Sequence, residues 1–313
     1  MNYLIFKKYL ILNNYNYIML AVVAALPFSA SAADSEEPRS FSLGVYQTDV
    51  TFDWSIDNSH TAGHPEKASE LIWNTKAIGL ELNYDTKWVN RKLYFAMADE
   101  GNGTMTDEDW RYAGGELEKW SSTRSKSDFL QVGYRSNSVH TRWTDTLWMD
   151  TIDFNISLGV GYEQFTAYGL INAFDGSEMR PDSVKVITNK TFNIHTGLGF
   201  DFEKSFNNWS FGFEQNFGLE NRLNLDYHHL RSDMKDISFV IFSPYISSES
   251  KLYTSYQFDN DFTLTAGASY GYSFALLDKI FVRPEHGEEG VTGLNNSTRE
   301  EVKAFITLSK KFG

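Results

Sequence analysis

The segment DFNISLGVGYEQF, which begins at Asp153, alternates strictly as far as Tyr162. Phe154, Ile156, Leu158, Val160 and Tyr162 take every second place, and Asp153, Asn155, Ser157, Gly159 and Gly161 fill the places between. An extended backbone sends successive side chains to opposite faces, so this stretch carries one wholly apolar face and one that is small or polar. FTLTAGASYGYSF repeats the pattern with Phe262, Leu264, Ala266, Ala268, Tyr270, Tyr272 and Phe274 on one side, and VKAFITL repeats it near the end. A wall that meets lipid outside and a lumen inside requires this alternation. Backbone amides in a bilayer have no water to bond, so such strands must close into a ring rather than leave an edge. A soluble antiparallel sandwich alternates as well, and closure separates the two readings.

Ten strand-like stretches recur, at 41–54, 69–84, 92–98, 129–134, 153–168, 184–202, 209–225, 237–258, 262–274 and 301–312. The connections fall into two kinds. SFNN and DND read as tight turns, whereas 100–128, 173–183, 222–236 and 278–300 are long and polar. Short turns at one end and long loops at the other are the pattern of an outer-membrane barrel. The fold expected is all-β, a ten-stranded antiparallel transmembrane β-barrel with long extracellular loops. A lumen of that size is mostly filled by side chains, which argues against a general porin.

The first residues place the chain outside the cytoplasm. Lys7 and Lys8 precede the apolar run IMLAVVAALPF and then the small-residue stretch SASAA, the order of a secretory signal peptide cut after Ala32. Residues 1–32 are therefore the expected signal and 33–313 one barrel domain. No cysteine is present, so a disulfide frame, a thiolate metal site and a thiol nucleophile are all excluded. With 28 Lys plus Arg against 41 Asp plus Glu, the formal charge is −13, which excludes nucleic acid as a partner and favours cationic ones.

Two short segments carry chemistry. GTMTDEDW, residues 103–110, sets three acids in a row, Asp107, Glu108 and Asp109. In an extended backbone Asp107 and Asp109 project together and Glu108 points away. Two close carboxylates do not both ionise cheaply, so one holds a raised pKa, and the pair is suited to share a proton and bind water. NLDYHHL, residues 224–230, puts Asp226 and His228 on one face and His229 on the other. An aspartate beside an imidazole fixes its tautomer and orientation and makes it a usable general base. Metal binding is not expected, because adjacent histidines on opposite faces do not chelate one ion and His60, His64, His140, His195 and His286 are scattered. Ser121, Ser122, Ser125 and Ser127 read as loop polarity, since none sits in a G-x-S-x-G elbow.

GTMTDEDW resembles the Gly-x-Met-x-Asp-x-Asp-Trp segment of the omptin outer-membrane proteases, and DYHH resembles their Asp-x-His segment. The resemblance extends over nearly the whole mature chain, including KASELIWNTKAIGLELNYD and SLGVGYEQFTAYG. It implies a barrel standing above the membrane with a groove at its extracellular rim, one wall carrying Asp107 and Asp109 and the other Asp226 and His228. It further implies that water held between His228 and Asp107 attacks a peptide carbonyl, that Asp226 orients His228, and that Asp109 supports Asp107. Cationic polypeptide substrates, an outer-membrane location with the active site facing outside, and lipopolysaccharide as an activator follow from the same resemblance. No cofactor is expected, and a monomer is.

The sequence also departs from the omptin pattern. The substrate-pocket acid expected two positions before the dyad aspartate is Asn224, and the one expected on the first strand has only Asp49 and Asp53 near it. On the lipid-facing wall Tyr162 fits, but Asp201 stands where a basic residue would serve a phosphate. Two rivals remain at this level. One is a non-catalytic barrel, an adhesin or structural protein. The other is a lipid-modifying barrel enzyme, which needs a Ser-His pair on the lipid face, and His195 is the only histidine within an expected strand.

Overall fold

In the computed structural model, which describes residues 39–57, 65, 67–113, 115–258, 261–276 and 279–312, every regular element is a β-strand. The expected signal peptide, His60 and His64 lie outside the described residues. In chain order the strands are β1 (Arg39–Asp57), β2 (Ser69–Asp85), β3 (Val89–Ala98), β4 (Gly103–Ala113), β5 (Glu116–Thr146), β6 (Met149–Asn172), β7 (Glu178–Phe206), β8 (Trp209–His228), β9 (Met234–Gln257), β10 (Phe262–Ala275), β11 (Lys279–Pro284) and β12 (Gly290–Phe312).

All neighbours pair antiparallel, and β1 bonds to both β2 and β12, so the sheet closes and the sandwich reading fails. β3 and β4 share one place in the ring, since β2 pairs with β3 over its lower half and with β4 over its upper half. β10 and β11 are likewise one interrupted stave between β9 and β12. The twelve elements thus build a ring of ten staves.

The long polar segments expected as loops are mostly strand. β4 and the start of β5 fill 100–128, β7 begins at Glu178, β8 runs on to His228 and β9 starts at Met234, while β11 and β12 occupy most of 278–300. Their polarity marks a wall in water, not an absence of structure. β5, β6 and β7 have 31, 24 and 29 residues, against the roughly 9–11 that cross a bilayer, so the wall rises far beyond it. Outward residues record the change of medium. Phe41, Leu43 and Val45 on β1 and Ile78, Leu80 and Leu82 on β2 form an exposed apolar band, and above it the outward positions are Gln47 and Asp49 on β1 and Lys76 and Asn74 on β2.

The lumen is plugged in two layers. At band level, ion pairs span it: Arg299 on β12 reaches Glu163 on β6 at 2.7 Å, and Arg135 on β5 reaches Glu249 on β9. Above them lies an apolar layer. Phe165 packs on Phe129, Trp73 and Phe52 at ring separations of 4.8, 5.4 and 6.0 Å, and Trp54 meets Phe239 from the facing side at 5.8 Å. Each such side chain contributes roughly 1.5–3 kcal/mol by leaving water. The same layer is the floor of the upper rim.

Candidate functional site

β4 rises on the stave beside β2 and presents Met105, Asp107 and Asp109 on one side. Met105 is fully buried in the apolar floor, and Asp107, paired with Leu71 and Thr123, stands one step above it. Glu108 faces away, where Lys119 holds it at 2.6 Å and Ser122 donates to it at 3.3 Å. A bulge between Asp109 and Trp110 breaks the register with β5, a device that re-aims side chains at strand ends. Trp110 then lies between Lys67 and Lys119, whose ammonium groups are 4.3 and 5.3 Å from its ring centre. The expected split of Asp107 and Asp109 from Glu108 is what the strand delivers.

β8 stands four staves round the ring from β4, nearly on the opposite wall. It carries Asp226 and His228 inward at its upper end, with His228 Nε2 3.5 Å from Asp226 Oδ2. That is an ion-pair separation longer than a normal hydrogen bond. The Asp226 side chain is 1% exposed and neither of its oxygens has a hydrogen-bond partner, and His228 Nε2 has none either. The imidazole is held edge-on to Phe239 at 5.0 Å, and its own backbone N–H donates to Ser238 Oγ at 3.2 Å. His229 lies apart, its Nε2 3.0 Å from Thr188 Oγ1, and burial with nearby Lys185 pulls its pKa down.

Asp107 pairs with Leu71, seven residues beyond the apolar band's Ile78 on β2, roughly 24 Å along the strand and clear of the bilayer. Burial over the apolar floor pushes its carboxyl up to about 7, the Asp109 carboxylate adds to the rise, and His228 works against it. Asp226 and Arg231 also act on Asp107. The field of the β8 pair therefore reaches the β4 pair across the mouth. Arg231, in the turn after His228, escaped the sequence reading. It is bound to Asp233 at 2.6 Å and also feels Asp107 and Asp109. Chemically, the mouth offers a half-buried imidazole with an adjacent acid, facing a carboxyl poised to exchange a proton near neutral pH.

Other sequence expectations change once side chains are placed. Asn224 is fully buried and accepts from Thr191 Oγ1. Asp49 is exposed and 4.0 Å from Lys76, and Asp53 accepts from Thr298 and Asn296, so both belong to the outer face of β1 rather than to the mouth. Asp201 is not on the lipid wall: it points into the lumen, where Tyr253 donates to it at 3.0 Å. The four serines are on β5, not in a loop, and Ser125 donates to the Gly169 carbonyl at 2.6 Å. A Ser-His contact does exist, Ser157 Oγ to His195 Nε2 at 3.0 Å. Both residues are buried in the lumen, with Ile156 and Leu158 taking the lipid side, so no lipid-facing pair is formed. His195 is also not alone in a strand, since His140 lies in β5 and His228 in β8.

No protein-family model matches the sequence, and no curated protein matches it. Solved structures do. The crystal structure of the outer membrane protease OmpT from Escherichia coli superposes with a TM-score of 0.68 at 11% identity, covering 88% of this chain and 97% of that one. The translocator domain of the autotransporter NalP from Neisseria meningitidis matches with a TM-score of 0.33 at 10% identity, over 95% of this chain and 94% of that one. The OmpT likeness shows the fold, an outer-membrane β-barrel.

Proposed function

We propose that this barrel is an omptin-like endopeptidase of the outer membrane, its rim turned outward, hydrolysing peptide bonds with water activated between two walls. The carrying observation is Asp226. A carboxylate that is 1% exposed, bonded by nothing and 3.5 Å from an imidazole costs folding free energy without packing benefit. A purely structural or adhesive barrel has no use for that arrangement, whereas a general base needs it.

In this reading water sits between His228 and Asp107. His228 takes its proton as the oxygen attacks the peptide carbonyl, and Asp226 steadies the imidazolium that forms. Asp107, protonated through its raised pKa and supported by Asp109, donates to the oxygen on which negative charge develops. The formal charge of −13 draws cationic polypeptides toward the rim. Lipopolysaccharide as an activator remains part of the proposal through the omptin resemblance. The test incubates protein refolded with and without lipopolysaccharide with quenched peptides varied at the residue before the cut, beside Asp107→Ala and His228→Ala. Cleavage by the parent and not by the variants is expected. Equal cleavage by all three removes the assigned roles.

A further inference from the structure

The lower end of the lumen, far from the rim, contains a chamber of about 340 Å³ whose charges do not balance. Six acids line it, on β2, β6, β7 and β8: Glu81, Asp85, Asp153, Asp201, Glu203 and Glu214. Three are matched. Arg142 binds Asp153 through two nitrogens at 2.6 and 2.5 Å, Lys251 lies 3.3 Å from Glu214, and Lys92 lies 3.9 Å from Glu81. Lys87, the remaining basic lining residue, is exposed at the lip over the Trp88 ring. Asp85, Asp201 and Glu203 have no ion pair among the described residues. Asp85 is held by the Ser40 hydroxyl and the Asn90 amide, and Asp201 by the Tyr253 phenol.

A second feature points to a ligand. Asn83 also lines the chamber, is 7% exposed, and donates its amide to Glu81 at 3.3 Å, which leaves Oδ1 without a partner. A buried carbonyl oxygen among unmatched carboxylates is an acceptor waiting for an N–H donor. The geometry of the acids fixes the kind of cation. Asp85 on β2 and the pair Asp201 and Glu203 on β7 are four staves apart in a ring of ten, on nearly opposite walls. Among the described residues no group of three acids or histidines stands close enough to hold one metal ion. The charge is spread across the lumen, and a ligand that matches it must carry separated positive groups on a flexible, slender chain.

We propose that this chamber binds a linear polyamine, one ammonium at Asp85 with an N–H to Asn83 Oδ1 and another at Asp201 and Glu203. The site is independent of the rim. The experiment titrates spermidine into the intact barrel in zwitterionic detergent at low salt and reads heat and thermal midpoint. One saturable site and a midpoint that rises with spermidine are expected, as for any ligand bound only by the folded state. Asp85→Asn and Glu203→Gln should each weaken binding roughly tenfold, the loss of one charge-assisted contact. Asp107→Ala should bind like the parent. Asn83→Asp, which sets a carboxylate at the orphan oxygen, should tighten binding, and this variant decides the matter should either amide variant fail to fold. Absence of saturable binding by the parent, displacement of spermidine by an equal concentration of magnesium, or unchanged affinity in the folded variants overturns the proposal.

Discussion

Glu163 and Asp226 are both buried carboxylates inside one barrel, and they are treated in opposite ways. Glu163, 5% exposed at band level, accepts from Arg299 at 3.0 and 2.7 Å and from Gln131 at 2.8 Å. Asp226, 1% exposed at the rim, accepts from nothing and has an imidazole 3.5 Å away. Around Glu163 the lumen neutralises its charges wall to wall, so they lock staves together. The rim leaves its acceptor capacity open, so it is available to a proton in transit. Burial alone does not separate structure from chemistry here; the state of compensation does.

Substitutions at the two sites should therefore fail in different ways. The largest effect expected is on catalysis: His228→Ala lowers kcat by about 10³-fold, the scale of a lost general base, while the urea midpoint stays within experimental scatter. Glu163→Gln should leave the turnover of folded molecules unchanged and destabilise the barrel by roughly 1.5–3 kcal/mol, the scale of a lost charged hydrogen bond, because Arg299 loses Glu163 and keeps Glu301 at 3.0 Å. Urea unfolding with activity normalised to folded protein checks both. If the rim variant unfolds and the lumen variant loses turnover, the contrast is reversed.

A smaller effect concerns pH. The Asp107 carboxyl is raised from 3.8 to about 7, so between those values the folded chain holds a proton that the unfolded chain has released. Stability from this group is present below about pH 4 and is lost as pH rises through 7. Asp107→Asn should accordingly raise the thermal midpoint relative to the parent more at pH 8 than at pH 4. The parent's kcat/KM should fall above pH 7 as the proton leaves. Asp109→Asn removes a charge that helps hold the proton, so this alkaline limb moves to lower pH, which a pH-rate profile measures. The smallest effect belongs to Glu108→Gln. Its partner Lys119 is on the water side, the pair is worth about 0–1 kcal/mol, and activity should change less than twofold.

Much of this was legible because period-two alternation is enforced at every residue of a wall with two different media. DFNISLGVGYEQF gave strand, facing and closure together, and the same period separated Asp107 from Glu108 and Asp226 from His229. The errors have the same source. Where both faces of the wall meet water, alternation loses its contrast, so β4, the start of β5, the first residues of β7, the last of β8, β11 and the start of β12 read as loops. The β5–β6 turn gave no signal at all, because Leu147 and Trp148 adopt φ of 51° and 63° without the glycine or asparagine that marks such turns. A family position puts Asp201 on the outer wall, whereas the alternation of its own strand, with Phe200 and Phe202 flanking it, turns it inward. Arg231 and the lower chamber depend on residues brought together from distant staves, and no local pattern announces either.

The central claim is that β4 and β8 act on one water across the mouth. A double-substitution cycle tests it most directly, measuring kcat/KM on one quenched peptide for the parent, Asp107→Ala, His228→Ala and the two combined. Groups that serve one step are not additive, so the combined variant should be no slower than the slower single variant. Losses that multiply, or single variants as fast as the parent, would contradict the account.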